Sequence, residues 1–136
     1  MKEIFKISRD LTRARYLLDA AKDRLQEIIP LFPKNKYYKI VEEYYEIIIQ
    51  LITSVMYSDG YKTLSHIGLM KYLSENFMEL NKNEISTVDI LRKLRHGIVY
   101  YGKQAEKEFL INHENSIKEI IQKLIEIAEN RITSLK

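Results

Sequence analysis

The chain has 136 residues, 46% apolar and 30% charged, with a net charge of +3 and no cysteine. That size and mixture suit one domain with one core and exclude a disordered or fibrous chain. The lack of cysteine excludes disulfide frameworks, thiolate zinc sites and cysteine nucleophiles, and it points to a reducing compartment.

Met1 to Asp10 mixes charged and single apolar residues, unlike the continuous apolar stretch of a secretory signal. Apolar runs such as Ile47 to Ile49 fall far short of the roughly 20 residues that cross a bilayer. A cytoplasmic protein with no membrane segment is expected.

In the first segment Ile7, Leu11, Ala14, Leu18, Ala21, Leu25 and Ile28 recur at steps of four and three, which predicts a helix ended by Pro30 and Pro33. A second helix, about Asn35 to Tyr57, carries Tyr37, Val41, Tyr44, Ile48, Leu51 and Val55 and is expected to be the most buried. Ser58, Asp59 and Gly60 supply turn chemistry, with the glycine closing the helix in a left-handed conformation.

A third helix, roughly Thr63 to Met78, aligns Leu64, Ile67, Met70, Leu73 and Phe77, and the polar stretch Asn81 to Glu84 reads as a loop. Ser86 with Asp89 three residues on has a capping-box pattern and predicts the start of a fourth helix there. Its face is Leu91, Leu94, Ile98, Tyr101 and Ala105. The stretch Ile111 to Asn115 marks a bend before a last helix with Ile117, Ile120, Ile121, Leu124 and Ala128 on one side. With no alternating strand pattern, no repeat and no linker, residues 1–136 are predicted to form one all-α domain, an antiparallel four- to five-helix up-and-down bundle without strands.

Few residues could carry chemistry. His66, His96 and His113 lack the carboxylate spacing of helical metal sites, and Glu42, Glu43 and Glu46 read as a solvated face, so neither metal nor cofactor is implied. His66, among Leu64, Ile67 and Leu69, reads as a packing residue rather than a phospho-acceptor. The informative segment is Leu91 to Gly102. At 100° per residue Arg92, Arg95, His96 and Val99 share one side, with Tyr100 one turn beyond His96. Arginine can hold a phosphate through paired hydrogen bonds, tyrosine can stack on a base, and histidine can move a proton near neutral pH. The plainer reading pairs Arg95 with a carboxylate of another helix. Gly97 and Gly102 interrupt a helical pattern at about 1 kcal/mol each, so close approach or ligand room is expected to offset them.

With these residues, together with Ala14-Arg15-Tyr16-Leu17-Leu18, Tyr44-Tyr45 and Gly60 to His66, nearly the whole chain resembles a HEPN domain, a helical family associated with nucleotides. The resemblance implies a HEPN-like bundle and a nucleotide or RNA ligand at Arg92, Arg95, Tyr100 and Tyr101. It also implies a homodimer and, for many members, a nucleotidyltransferase partner in a toxin-antitoxin or defence pair. Family ribonucleases are metal-independent and carry an arginine, often followed by a polar residue, then a histidine after four to six intervening positions. Here the pattern departs. Counting from Arg95, His96 takes the polar position and Tyr100 the nearest histidine position; counting from Arg92, His96 follows after only three residues. A tyrosine, with a pKa near 10, is a poor proton acceptor at neutral pH. Three readings follow: a binding module with an altered motif, an active endoribonuclease in which Arg95 acts with His96 or Tyr100, and a protein-interaction bundle without a nucleotide ligand.

Overall fold

The computed structural model describes residues 3–104 and 107–134; Ala105, assigned above to the face of the fourth helix, lies outside them. It is mostly helical. The helices are α1 (Leu11–Asp23), α2 (Tyr37–Asp59), α3 (His66–Asn76), α4 (Lys82–Tyr101) and α5 (Lys107–Ser134), and the short extended pieces β1 (Phe5–Lys6) and β2 (Tyr61–Lys62) pair antiparallel.

The second helix is the spine, and α1, α5 and α4 all pack on it. Val41, Ile48, Leu51, Ile52 and Val55 are fully enclosed, as are Leu18 of α1 and Ile121 and Leu124 of α5. Each such aliphatic side chain contributes about 1.5–3 kcal/mol relative to exposure. Small residues let α1 approach closely. Ala14 and Ala21 are buried, and the buried Ser54 hydroxyl donates to the Ala14 carbonyl at 2.6 Å, so the polar group carries no unpaired cost.

Several boundaries differ from the sequence reading. The first helix begins at Leu11, not at Ile7, because the Asp10 carboxylate accepts from the Arg13 amide at 2.9 Å and caps it. Ahead of that cap the chain is extended: the Ile7 amide donates to the Gly60 carbonyl at 2.9 Å, and β1 pairs with β2. This short ladder corrects the expectation of no strands. At the far end α1 widens into a π-turn over Arg24–Ile28 and a 3-10 turn over Ile29–Leu31, so Pro30 closes the segment where expected but after a change of pitch.

Gly60 ends α2 with φ 89°, as the turn chemistry implies. The fourth helix starts at Lys82, four residues before Ser86. Asn81 accepts from the Glu84 amide at 2.8 Å and Glu84 returns the bond from the Asn81 amide at 3.0 Å, so the stretch read as a loop is itself a capping box. The expected bend at Ile111 to Asn115 is absent, since α5 runs unbroken through it.

Candidate functional site

Two buried residues, Val88 and Leu91, set the rotation of α4 on the core, and Leu94 and Ile98 are half-buried against it. This turns Arg92 and Arg95 onto the flank facing α2 and leaves His96, Val99, Tyr100 and Tyr101 exposed. Arg92 donates through Nε to Asp89 at 2.9 Å, and Lys93 shares the same carboxylate at 3.1 Å. Arg95 reaches Glu46 of α2 with one nitrogen, Nη2, at 3.4 Å, and its guanidinium lies 5.7 Å from the centre of the Tyr45 ring. Its Nε is buried and has no hydrogen-bond partner. A planar five-donor group is thus held by one long bond and a ring face.

The third helix brings His66 to this group. Its start is fixed from both sides: Ser65 caps it by accepting from the Gly68 amide at 3.0 Å, while the Ser65 hydroxyl donates to the Glu3 carboxylate at 2.7 Å. A Cβ on Gly68 would come within 2.8 Å of the Glu3 carbonyl oxygen, so only glycine permits this approach of the amino-terminal segment. Held there, His66 places Nδ1 2.7 Å from the Tyr45 hydroxyl, and the two rings lie 5.6 Å apart. The outer edge of the imidazole remains exposed.

The electrostatics follow from these positions. Burial of part of the ring, then the positive charges of Arg95, Arg92 and His96, lower the His66 pKa below the ordinary 6.5, against the opposing pull of Glu46. Burial pushes the Tyr45 phenol up to about 12 despite the two arginines, so it stays protonated at neutral pH. Burial also works against the Asp89 carboxylate, but hydrogen bonds from Arg92 and Lys93 outweigh it and hold its pKa below the usual value. The imidazole thus sits beside two arginines, one paired closely with Asp89 and the other held loosely by Glu46.

Of the residues singled out from sequence, Arg92 and Arg95 lie with Tyr45 and His66, while the His96 ring lies tilted against Tyr100 at 4.7 Å and edge-on to Tyr101 at 5.6 Å in an exposed aromatic group. His66 and Tyr45 were not among the expected site residues. His66 reads as core from its apolar neighbours, yet Leu64 and Ile67 are 86% and 68% exposed. Its one local signal is Ser65 as a helix cap. Glu46 and Glu43 are not simply a solvated face, for Glu46 meets Arg95 and Glu43 binds Arg24 at 2.7 Å.

The glycines have plainer roles than expected. Gly102 has φ 63° and terminates α4 rather than interrupting it, and Gly97 is buried under the returning Lys103, whose Cδ would lie 2.8 Å from an added Cβ. The space over Gly97 is taken by the Lys103 side chain rather than left open for a ligand.

A cavity of about 780 Å³ lies elsewhere, between the 3-10 turn at Pro30, α2 and α5. Its apolar lining includes Leu25, Ile29, Phe32 and Leu110, and its polar lining includes Lys34, Lys107 and Lys118 beside a closed pair in which Tyr44 donates to Glu114 at 2.7 Å. Shape favours that crevice, whereas the His66 and Arg95 group brings an incompletely bonded arginine, an imidazole and a phenol from three helices together and is the candidate site. Among the described residues no cluster of three His, Cys, Asp or Glu side chains could hold a metal, and no helix is long and apolar enough to cross a membrane. No family model matches the chain, and no curated protein matches it.

Proposed function

We propose that this helical protein binds the phosphate of RNA or of a nucleotide between α3 and α4, with Arg95 as the principal contact and Arg92, His66 and His96 adding positive or hydrogen-bonding character. The observation that carries this reading is the incomplete satisfaction of Arg95: one bond of 3.4 Å and a buried Nε with no partner. A phosphate oxygen would take the Nη donors that Glu46 leaves unused through short, charge-assisted bonds, while the enclosed Nε stays within the protein. Tyr100 and Tyr101, 64% and 71% exposed beside His96, offer rings on which a base can stack. The resemblance to HEPN domains supports the same ligand class and extends the proposal to a homodimer working with a nucleotidyltransferase partner in a toxin-antitoxin or defence pair in the cytoplasm.

The test is fluorescence anisotropy with a labelled single-stranded oligoribonucleotide. Loss of a charge-assisted contact costs about 1.5–3 kcal/mol, so Arg95→Ala weakens binding about tenfold or more while leaving the helical circular-dichroism signal intact. Equal affinity in a folded variant would remove the site.

A second reading has its own observation. Arg95 does meet a carboxylate of another helix, Glu46, and the exposed Val99, Tyr100 and Tyr101 form an apolar edge suited to a protein partner. An interaction bundle of this kind binds a protein through that edge and shows no affinity for RNA or nucleotides.

A further inference from the structure

We propose that the crevice between the end of α1, α2 and α5, which the phosphate site does not use, binds a single-chain aliphatic carboxylate, its chain along the apolar walls and its head at Lys34 and Lys107. The volume of about 780 Å³ falls within the roughly 300–1,000 Å³ of small-molecule sites. The apolar lining is mostly aliphatic: Leu25, Ile29, Ile40, Leu110 and Ile111, with Phe32. Two features mark it as core surface without a cover. Ile111 is 67% exposed although Leu110 beside it is buried. The stripe of α1 buries Ala14, Leu18 and Ala21, but Leu25 and Ile29 beyond it are left half-buried where the helix widens into the π-turn. Such single wide turns recur at functional sites.

The run of the helices fixes where an anionic head sits. Tyr44 of α2 meets Glu114 of α5, and Asp59 meets Arg131, so the two helices run in the same direction, and each starts two turns before the first pair. Lys34, just ahead of α2, and Lys107, at the start of α5, therefore close the same end of the crevice. The start of α2 has no side-chain cap, and its first amides add positive character to that end. Glu114 is the carboxylate of the lining, and it lies about 10 Å along α5 from Lys107. It accepts from Tyr44, and Lys118 one turn further on balances its charge, which leaves Lys34 and Lys107 in surplus. Among the described lining residues no arginine supplies the fork that grips a phosphate. Lysine is a point charge on an apolar stem, suited to a compact monoanion whose chain the stem helps to cover.

The experiment titrates acetate, hexanoate, octanoate, decanoate and octanol into the full chain and follows its backbone amide resonances, with circular dichroism to confirm that each variant is folded. Octanoate is expected to shift the resonances of the crevice residues, with affinity rising about two- to fourfold per added methylene, as burial of the chain requires. Acetate, a head without a chain, should not bind at the same concentrations, and octanol, a chain without a charge, should bind about tenfold more weakly. Ile111→Asp, at an exposed position, is expected to abolish octanoate binding. Lys34→Glu combined with Lys107→Glu should weaken octanoate about tenfold and leave octanol unchanged, while Lys71→Glu on α3, outside the lining, changes neither. Absence of crevice shifts with octanoate, acetate binding as tightly as octanoate, or octanoate binding untouched by the double variant would each overturn the proposal. A response to phosphatidylglycerol vesicles that exceeds the response to octanoate and is lost in Ile111→Asp would overturn the free acid in favour of a membrane lipid.

Discussion

Two arginines of this fold meet carboxylates of the same helix in opposite ways. Arg131 of α5 binds both oxygens of Asp59 through Nη1, at 2.9 and 2.8 Å, and Asp59 is closed further by the Tyr72 hydroxyl. Arg95 of α4 touches Glu46 once, at 3.4 Å, with its buried Nε unpaired and His66 and Tyr45 alongside. A short pair that engages both carboxylate oxygens serves the fold. An unsaturated pair keeps donors and charge available for a ligand, at some cost to stability.

The contrast is sharpest under truncation. Arg131→Ala leaves Asp59, only 19% exposed, without its cation, and urea unfolding is expected to show a loss of about 2 kcal/mol. Arg95→Ala, removing a weak pair with a half-exposed partner, should cost under about 1 kcal/mol in the same measurement. If the two losses are equal, the distinction between a structural and a functional arginine fails. A smaller effect of opposite sign is expected from Glu46→Gln. Removing the competing carboxylate frees Arg95, and RNA affinity in the anisotropy assay should rise about two- to fivefold, in line with the modest worth of exposed ion pairs. Weaker binding would mean that Glu46 orients Arg95 for the ligand rather than competing for it.

Much of the fold is readable from periodicity, because the core stripes of α2 and α5 are long and regular: Val41, Ile48, Leu51 and Val55 fall where the three-and-four rhythm puts them. The misreadings concern caps and pitch. Asn81 with Glu84 is a better capping box than Ser86 with Asp89, yet it looks like a polar loop; Ile7 continues the helical rhythm but is claimed by Gly60 through a bond across the chain. The site divides along the same line. Arg92, Arg95 and His96 are legible because one helix brings them together, whereas the pairing of His66 with Tyr45 joins residues on α3 and α2 that no local spacing relates. The third-helix stripe is right in its second half, where Leu73 and Phe77 are buried, and wrong in its first, where Leu64 and Ile67 face outward and Leu69 and Tyr72 take the buried side.

The most direct test of a phosphate seated between Arg95 and His66 is nuclear magnetic resonance of the histidine rings across pH, without and with a short oligoribonucleotide, using His66→Gln to identify the His66 signals. In the free protein His66 should titrate below 6.5, because burial and the neighbouring cations disfavour its charged form. A bound phosphate favours that charged form, so RNA should raise the His66 pKa and binding should tighten as pH falls through it. A His66 titration that is the same with and without saturating RNA would contradict the central claim.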